Sequence, residues 1–192
     1  MANSDTAFGL RPIMMADGSP YVAAVRAYAV PASDGTALML GDPVKLAGGN
    51  QVIDGVTYGT VARAATGDVI AGVVVGVKPV TQSSTIYREA SVQRIVQIET
   101  GPNVIFEIQE VSGGTALTAD AIGLNCDFVV AAGSTTTGMS GVELNNSGEA
   151  TTNTLDLKII GLVNRADNEV GEHAKWLVQI NRSQWSNQVA GI

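Results

Sequence analysis

A chain of 192 residues with one histidine (His173), one cysteine (Cys126) and only 15% charged residues has little material for catalysis or for holding a metal. Its 11 Lys+Arg against 18 Asp+Glu give a net charge of −7, which disfavours nonspecific binding to nucleic acid or to an anionic membrane, since both need a basic footprint. A lone cysteine excludes an intramolecular disulfide, and a 45% hydrophobic fraction with 5% aromatics predicts a thin core of small side chains, partly closed by partner subunits.

In chain order, residues 1–20 read as an extended N-terminal arm. Phe8, Leu10 and Ile13 are its apolar anchors, Pro12 holds Arg11 extended, and Ala16-Asp17-Gly18-Ser19-Pro20 is a turn. Such a segment has no helical period and must lie on its own domain or on a neighbour. No basic run followed by an apolar stretch opens the chain, so no secretory leader is expected. No stretch reaches the ~20 apolar residues of a membrane span, and a cytoplasmic site of synthesis is expected.

Residues 21–181 read as one β-rich domain. Strands are expected over 21–30, in short pieces around Gly41-Asp42-Pro43, over 56–65 and over 69–77. Gly48-Gly49-Asn50 and Asp54-Gly55 read as hairpin turns, and Gly72 and Gly76 as a bulge or close backbone approach. Residues 94–99 and 104–111 alternate apolar with polar, which predicts a hairpin across Gly101-Pro102-Asn103, with Glu107 and Gln109 on the face opposite Phe106 and Ile108. Thr118 and Gly123 bracket a short helical turn. Strands follow over 128–131, 155–163 and 174–180, separated by a long polar region at 133–153. Residues 182–192 form a polar tail around Trp185. The fold class expected is all-β, a sandwich, jelly roll or barrel-like domain with little helix.

No catalytic set assembles from these residues. Asp167-Asn168-Glu169 with Glu172 and His173 is the densest polar cluster, yet its spacing matches no metal-ligand pattern and reads as a solvated loop. Thr66-Gly67-Asp68 and residues 71–76 match neither phosphate-binding glycine pattern. Seven loop serines would share one histidine, and none sits in a nucleophile elbow. Cys126, between apolar neighbours and without an adjacent base, reads as a small hydrophobe. No cofactor and no metal are expected, and the chain is read as a non-enzyme. Phe8 and Trp185 carry more weight as bulky anchors in terminal segments, able to fold back or to dock into neighbours.

The run Ala2-Asn3-Ser4-Asp5-Thr6-Ala7-Phe8-Gly9-Leu10-Arg11-Pro12, continuing to Gly18-Ser19-Pro20-Tyr21, resembles the start of a family of tailed-bacteriophage structural proteins. Gly133-Ser134-Thr135-Thr136-Thr137-Gly138, Asn164-Arg165-Ala166-Asp167-Asn168-Glu169-Val170-Gly171 and Ala174-Lys175-Trp176-Leu177-Val178-Gln179-Ile180-Asn181 are similar to later parts of that family. The resemblance implies a capsid decoration, or cement, protein. Its expected partners are the major capsid protein and itself, commonly as a homotrimer, on the outer surface of the expanded head. Nucleic acid and membrane are not expected partners. Phe8, Leu10, Arg11 and Pro12 are the expected capsid or subunit contacts, with Trp185 a second. The alternatives are another virion component (tail tube, head completion or receptor binding) and a hydrolase built on Asp167, Glu169 and His173.

Overall fold

The computed structural model describes residues 3–186. The chain is all-β, with twelve strands and a single 3₁₀ turn among the described residues. The strands are β1 (Arg11–Met15), β2 (Val25–Val30), β3 (Pro43–Ile53), β4 (Val56–Arg63), β5 (Gly72–Val77), β6 (Arg94–Glu99), β7 (Val104–Gln109), β8 (Asn125–Cys126), β9 (Phe128–Val129), β10 (Glu143–Leu144), β11 (Leu157–Leu162) and β12 (Lys175–Ile180). They build two bodies, each with its own buried cluster: a closed barrel in the order β2-β4-β3-β5-β6 and a five-stranded sheet in the order β1-β7-β12-β11-β8. A two-stranded ladder, β10-β9, lies beside them.

The barrel is small, and small β-branched side chains fill it: Val30, Val44, Val61, Val74, Val96 and Ile98 pack inside with Leu38. Asp54 and Gly55 both have positive φ, as a two-residue turn requires, and they join β3 to β4 with Ile53 opposite Val56. Gly48-Gly49-Asn50 is not a second hairpin. β3 runs straight through it, and the register shift between Leu46 and Asn50 makes it a bulge, pinned where the Thr60 hydroxyl donates to the Gly48 carbonyl. The barrel closes through the six-residue antiparallel ladder of β2 with β6 and a parallel bridge from Ala29 to Thr60. Gly72 admits the close approach expected of it, since a Cβ there would lie 2.1 Å from the Glu99 carbonyl oxygen. The register of β5 shifts between Val74 and Gly76.

Residues 94–111 do not form a hairpin. β6 pairs with β2 and β5 in the barrel, whereas β7 pairs with β1 and β12 in the sheet. The turn at 100–103 is the joint between the two bodies. Both strands read as half-buried from their alternation, but β7 is buried along its whole length and β6 exposes only Gln97. Two of their polar residues, Glu99 and Gln109, find their partners inside. The Glu99 carboxylate accepts from the Tyr21 hydroxyl at 2.5 Å, Ala24 N–H at 2.9 Å and Gly101 N–H at 2.8 Å. Those donors fix the chain on both sides of the joint.

The larger core lies under the sheet and takes the big side chains, Phe106, Phe128 and Trp176, with Leu10, Ile108, Leu117, Leu144, Leu157 and Ile159. Each such burial is worth roughly 1.5–3 kcal/mol. Ala64, Ile70 and Val73 reach into it from the barrel side. The turn at 118–123 forms as a 3₁₀ turn over Ala119–Ala121, with the Thr118 side chain accepting from Asp120 N–H.

The arm lies on its own chain. Its β1 is an edge strand paired antiparallel with β7, Arg11 opposite Glu107 and Met15 opposite Val104. Just before β1, it crosses the segment leading into β3 at a backbone-to-backbone contact: Leu10 N–H donates to the Gly41 carbonyl at 2.9 Å. Gly9 has φ +71° and Gly41 φ +91°, and a Cβ on Gly9 would fall 2.5 Å from the Gly41 oxygen. Gly9→Ala therefore meets both a left-handed backbone and a backbone clash. It is expected to lose about 2 kcal/mol or more, measured by chemical denaturation; an unchanged midpoint would disprove the crossing.

Candidate functional site

The five expected contact residues fall in two places. Phe8, Leu10, Arg11 and Pro12 line one shallow groove with Leu40, Gly41, Val74, Val75 and Met139. Within it they differ. Leu10 is 1% exposed and belongs to the core, so its anchoring role is met at home. Arg11 stacks 4.6 Å over the Phe8 ring and bonds the Glu107 carboxylate at 2.6 Å. Phe8 and Pro12 are half-buried, leaving one face each at the groove. Trp185 lies elsewhere, between two grooves beside the barrel. Its indole N–H donates to the Ala71 carbonyl at 2.6 Å, and the Arg26 guanidinium sits 4.9 Å over its ring. The aromatic of the tail is thus fastened to its own barrel.

The polar cluster at 167–173 is a buttressed loop. Asn168 is buried, its amide donating to the Val163 and Lys175 carbonyls while its oxygen accepts from Lys175 N–H. Asn3 donates to the Glu169 and Glu172 carbonyls and accepts from Glu169 N–H, which ties the arm to this loop. Asp167 pairs with Arg165 at 3.2 Å.

His173 does not join Asp167 and Glu169. It meets Asp5 and Glu143, and ligand-type atoms of these three lie within 4.8 Å of one another. The donor set, one imidazole and two carboxylates, is one a divalent cation accepts. The protein fills that seat itself. Gln109, fully buried on β7, places its Nε2 3.0 Å from Asp5 Oδ1, 2.9 Å from Glu143 Oε1 and 3.5 Å from His173 Nδ1, while its Oε1 accepts from Thr6 N–H. Burial, opposed by the Gln109 bond, raises the Glu143 carboxyl above its ordinary range. The arrangement fastens the arm, β7, β10 and the 167–173 loop at one point. Gln109 had an outward-facing alternation in sequence, and no spacing relates Asp5 to Glu143, so nothing in the sequence marked this cluster.

Cys126 is buried, and burial followed by the charge of Asp127 pushes its thiol far above the ordinary range, so it holds no thiolate for chemistry. The remaining buried carboxylates serve the backbone. Asp42 accepts from Ser140 Oγ at 2.5 Å and Met39 N–H at 2.8 Å. Glu110 accepts from the Trp176 indole and Leu117 N–H, both at 2.8 Å. Asp156 accepts from Gly67 N–H and faces Arg182 at 3.8 Å, and its carbonyl receives Asn181 N–H. Comparison with models of protein families, with curated proteins and with solved structures finds no match.

Burial raises the Asp156 carboxyl from 3.8 to about 6, with Gly67 N–H and Arg182 opposing and Asp127 adding to the rise. A raised native value means that the folded state holds the proton more tightly. The stabilisation is full below about pH 4 and is lost as pH rises through about 6. Wild type is expected to lose up to about 3 kcal/mol between pH 4 and 7 that Asp156→Asn does not lose, read as the difference in their denaturation profiles. Parallel profiles would remove Asp156 as the source.

Proposed function

We propose that this chain is a capsid decoration protein that binds the outer surface of an expanded bacteriophage head as a symmetric oligomer. The observation that carries the reading is the use of the polar groups. Among the described residues the buried carboxylates and amides hold loops and the arm in place, and none is left assembled around a space where a substrate would react. What such a chain offers is surface. Its net charge of −7 suits a face turned to solvent rather than to DNA. The stretches that resemble tailed-phage structural proteins run from the arm to β12.

The mechanism is mass action. A protein that binds the expanded lattice and not its precursor shifts the equilibrium toward the expanded shell. Three copies joined by symmetry turn a weak contact into a lasting one, because the second and third engagements are intramolecular. The groove beside β1 supplies the contact through Phe8, Pro12 and Met139, with Leu10 as its fixed floor and Arg11 holding Phe8 in place.

Purified protein is expected to co-sediment saturably with expanded, undecorated heads in multiples of three copies and to scatter light as a trimer. Phe8→Ala and Met139→Ala are each expected to weaken occupancy about tenfold. Self-assembly into rings or tubes without head binding would make the chain a tail component and end the decoration reading.

A further inference from the structure

We propose that the barrel mouth at the ends of β5 and β6 is a carboxylate-binding groove, which takes an acidic side chain from the protein surface this chain docks on. Two buried arginines stand at this end of the barrel, and the protein satisfies only one. Arg88, 0% exposed, spends its donors on the Val92, Thr36, Pro31 and Asp34 carbonyls and faces the Asp34 carboxylate. Arg94, 5% exposed, makes a single hydrogen bond, from Nη1 to the Lys78 carbonyl at 3.3 Å, and no ion pair among the described residues. A guanidinium carries five N–H donors, and those Arg94 does not spend inside the protein are left to whatever fills the groove it lines. Arg94 and the exposed Lys78, also without an ion pair, line a groove with Ile53, Pro79, Val80 and Ile95. Asp54 borders the groove and bonds neither cation.

The surroundings select the kind of partner. Val52, Val56 and Val80 are 64%, 50% and 74% exposed on the hairpin and strand ends at this mouth. A mineral anion gains nothing from such a rim. A protein surface does, because apolar contact sheltering an arginine-carboxylate bond is the usual centre of an interface. The shell as source of that carboxylate rests on the decoration reading; the groove does not.

The test uses acetate as probe on the whole chain, with arginine side-chain NMR, beside co-sedimentation with expanded heads. The Arg94 Nε–H resonance is expected to shift saturably with acetate, and Lys78→Glu, at an exposed position, is expected to abolish the shift and lower head occupancy about tenfold. Arg94→Gln, confirmed as folded by its amide spectrum, is expected to do the same. An Arg94 resonance unmoved by acetate overturns the groove whatever the heads do. A shift in Arg94 with full head binding by Lys78→Glu overturns the shell as its partner. If wild type binds no heads while Arg94 still titrates, the decoration reading fails and the groove stands. Oligomers that Lys78→Glu dissolves would make a second copy the occupant and overturn the proposal of an external one.

Discussion

The structure depends on a strand buried on both faces that carries two polar side chains. β7 sits between β1 and β12, and nothing along it reaches solvent freely. A carboxylate at Glu107 and an amide at Gln109 are tolerable there only with partners, since an unpaired buried polar group costs about 1–3 kcal/mol and a charge more. The partners come from distant parts of the chain. Arg11 and Arg165 reach Glu107, and Asp5, Thr6 and Glu143 reach Gln109. Satisfying two side chains therefore places the arm, β10 and the loop before β12. The arm is part of the sheet because β7 would otherwise be an edge with a buried charge.

The same economy runs through the rest of the molecule. In an acidic protein with few long regular strands, many backbone N–H groups lie in turns without a ladder partner. Glu99, Asp42, Glu110 and Asp156 accept from such groups and are buried in doing so. Burial raises the last three carboxyls above their ordinary range. They fasten loops at a cost in desolvation, which makes the fold respond to pH where it is tied together. Against this background Arg94 is an exception, a buried cation for which the chain provides almost no acceptor.

The two regions argued to act outward differ in kind. The groove beside β1 is apolar and built on a strand fixed at Leu10 and at the Gly9–Gly41 crossing, so it is preorganised and gains little entropy cost on docking. The barrel mouth is cationic with an apolar rim, and an arginine-carboxylate bond there would give orientation as well as affinity. Trp185, bonded to Ala71 and covered by Arg26, is a clamp on the barrel rather than a free anchor.

Much of the fold was legible in the sequence where the cause is local. Alternation and turn chemistry placed most strands and the all-β class, and Asp54-Gly55 marked a true hairpin because both positions need positive φ, whereas the thin core of small side chains expected from composition holds for the barrel and not for the larger core around Phe106, Phe128 and Trp176. What the sequence could not decide was which strand pairs with which. The 94–99 and 104–109 strands have the pattern and the turn of a hairpin, yet they part into different bodies, because Glu99 and Glu107 find their partners on Tyr21 and Arg11, far away in sequence. Glu107 and Gln109 read as outward residues by period and are buried for the same reason. The identity of a strand is set by its own residues; its neighbours, its buried charges and the grooves between bodies are set by satisfying polar groups across the whole chain, and only the tertiary structure shows how that was done.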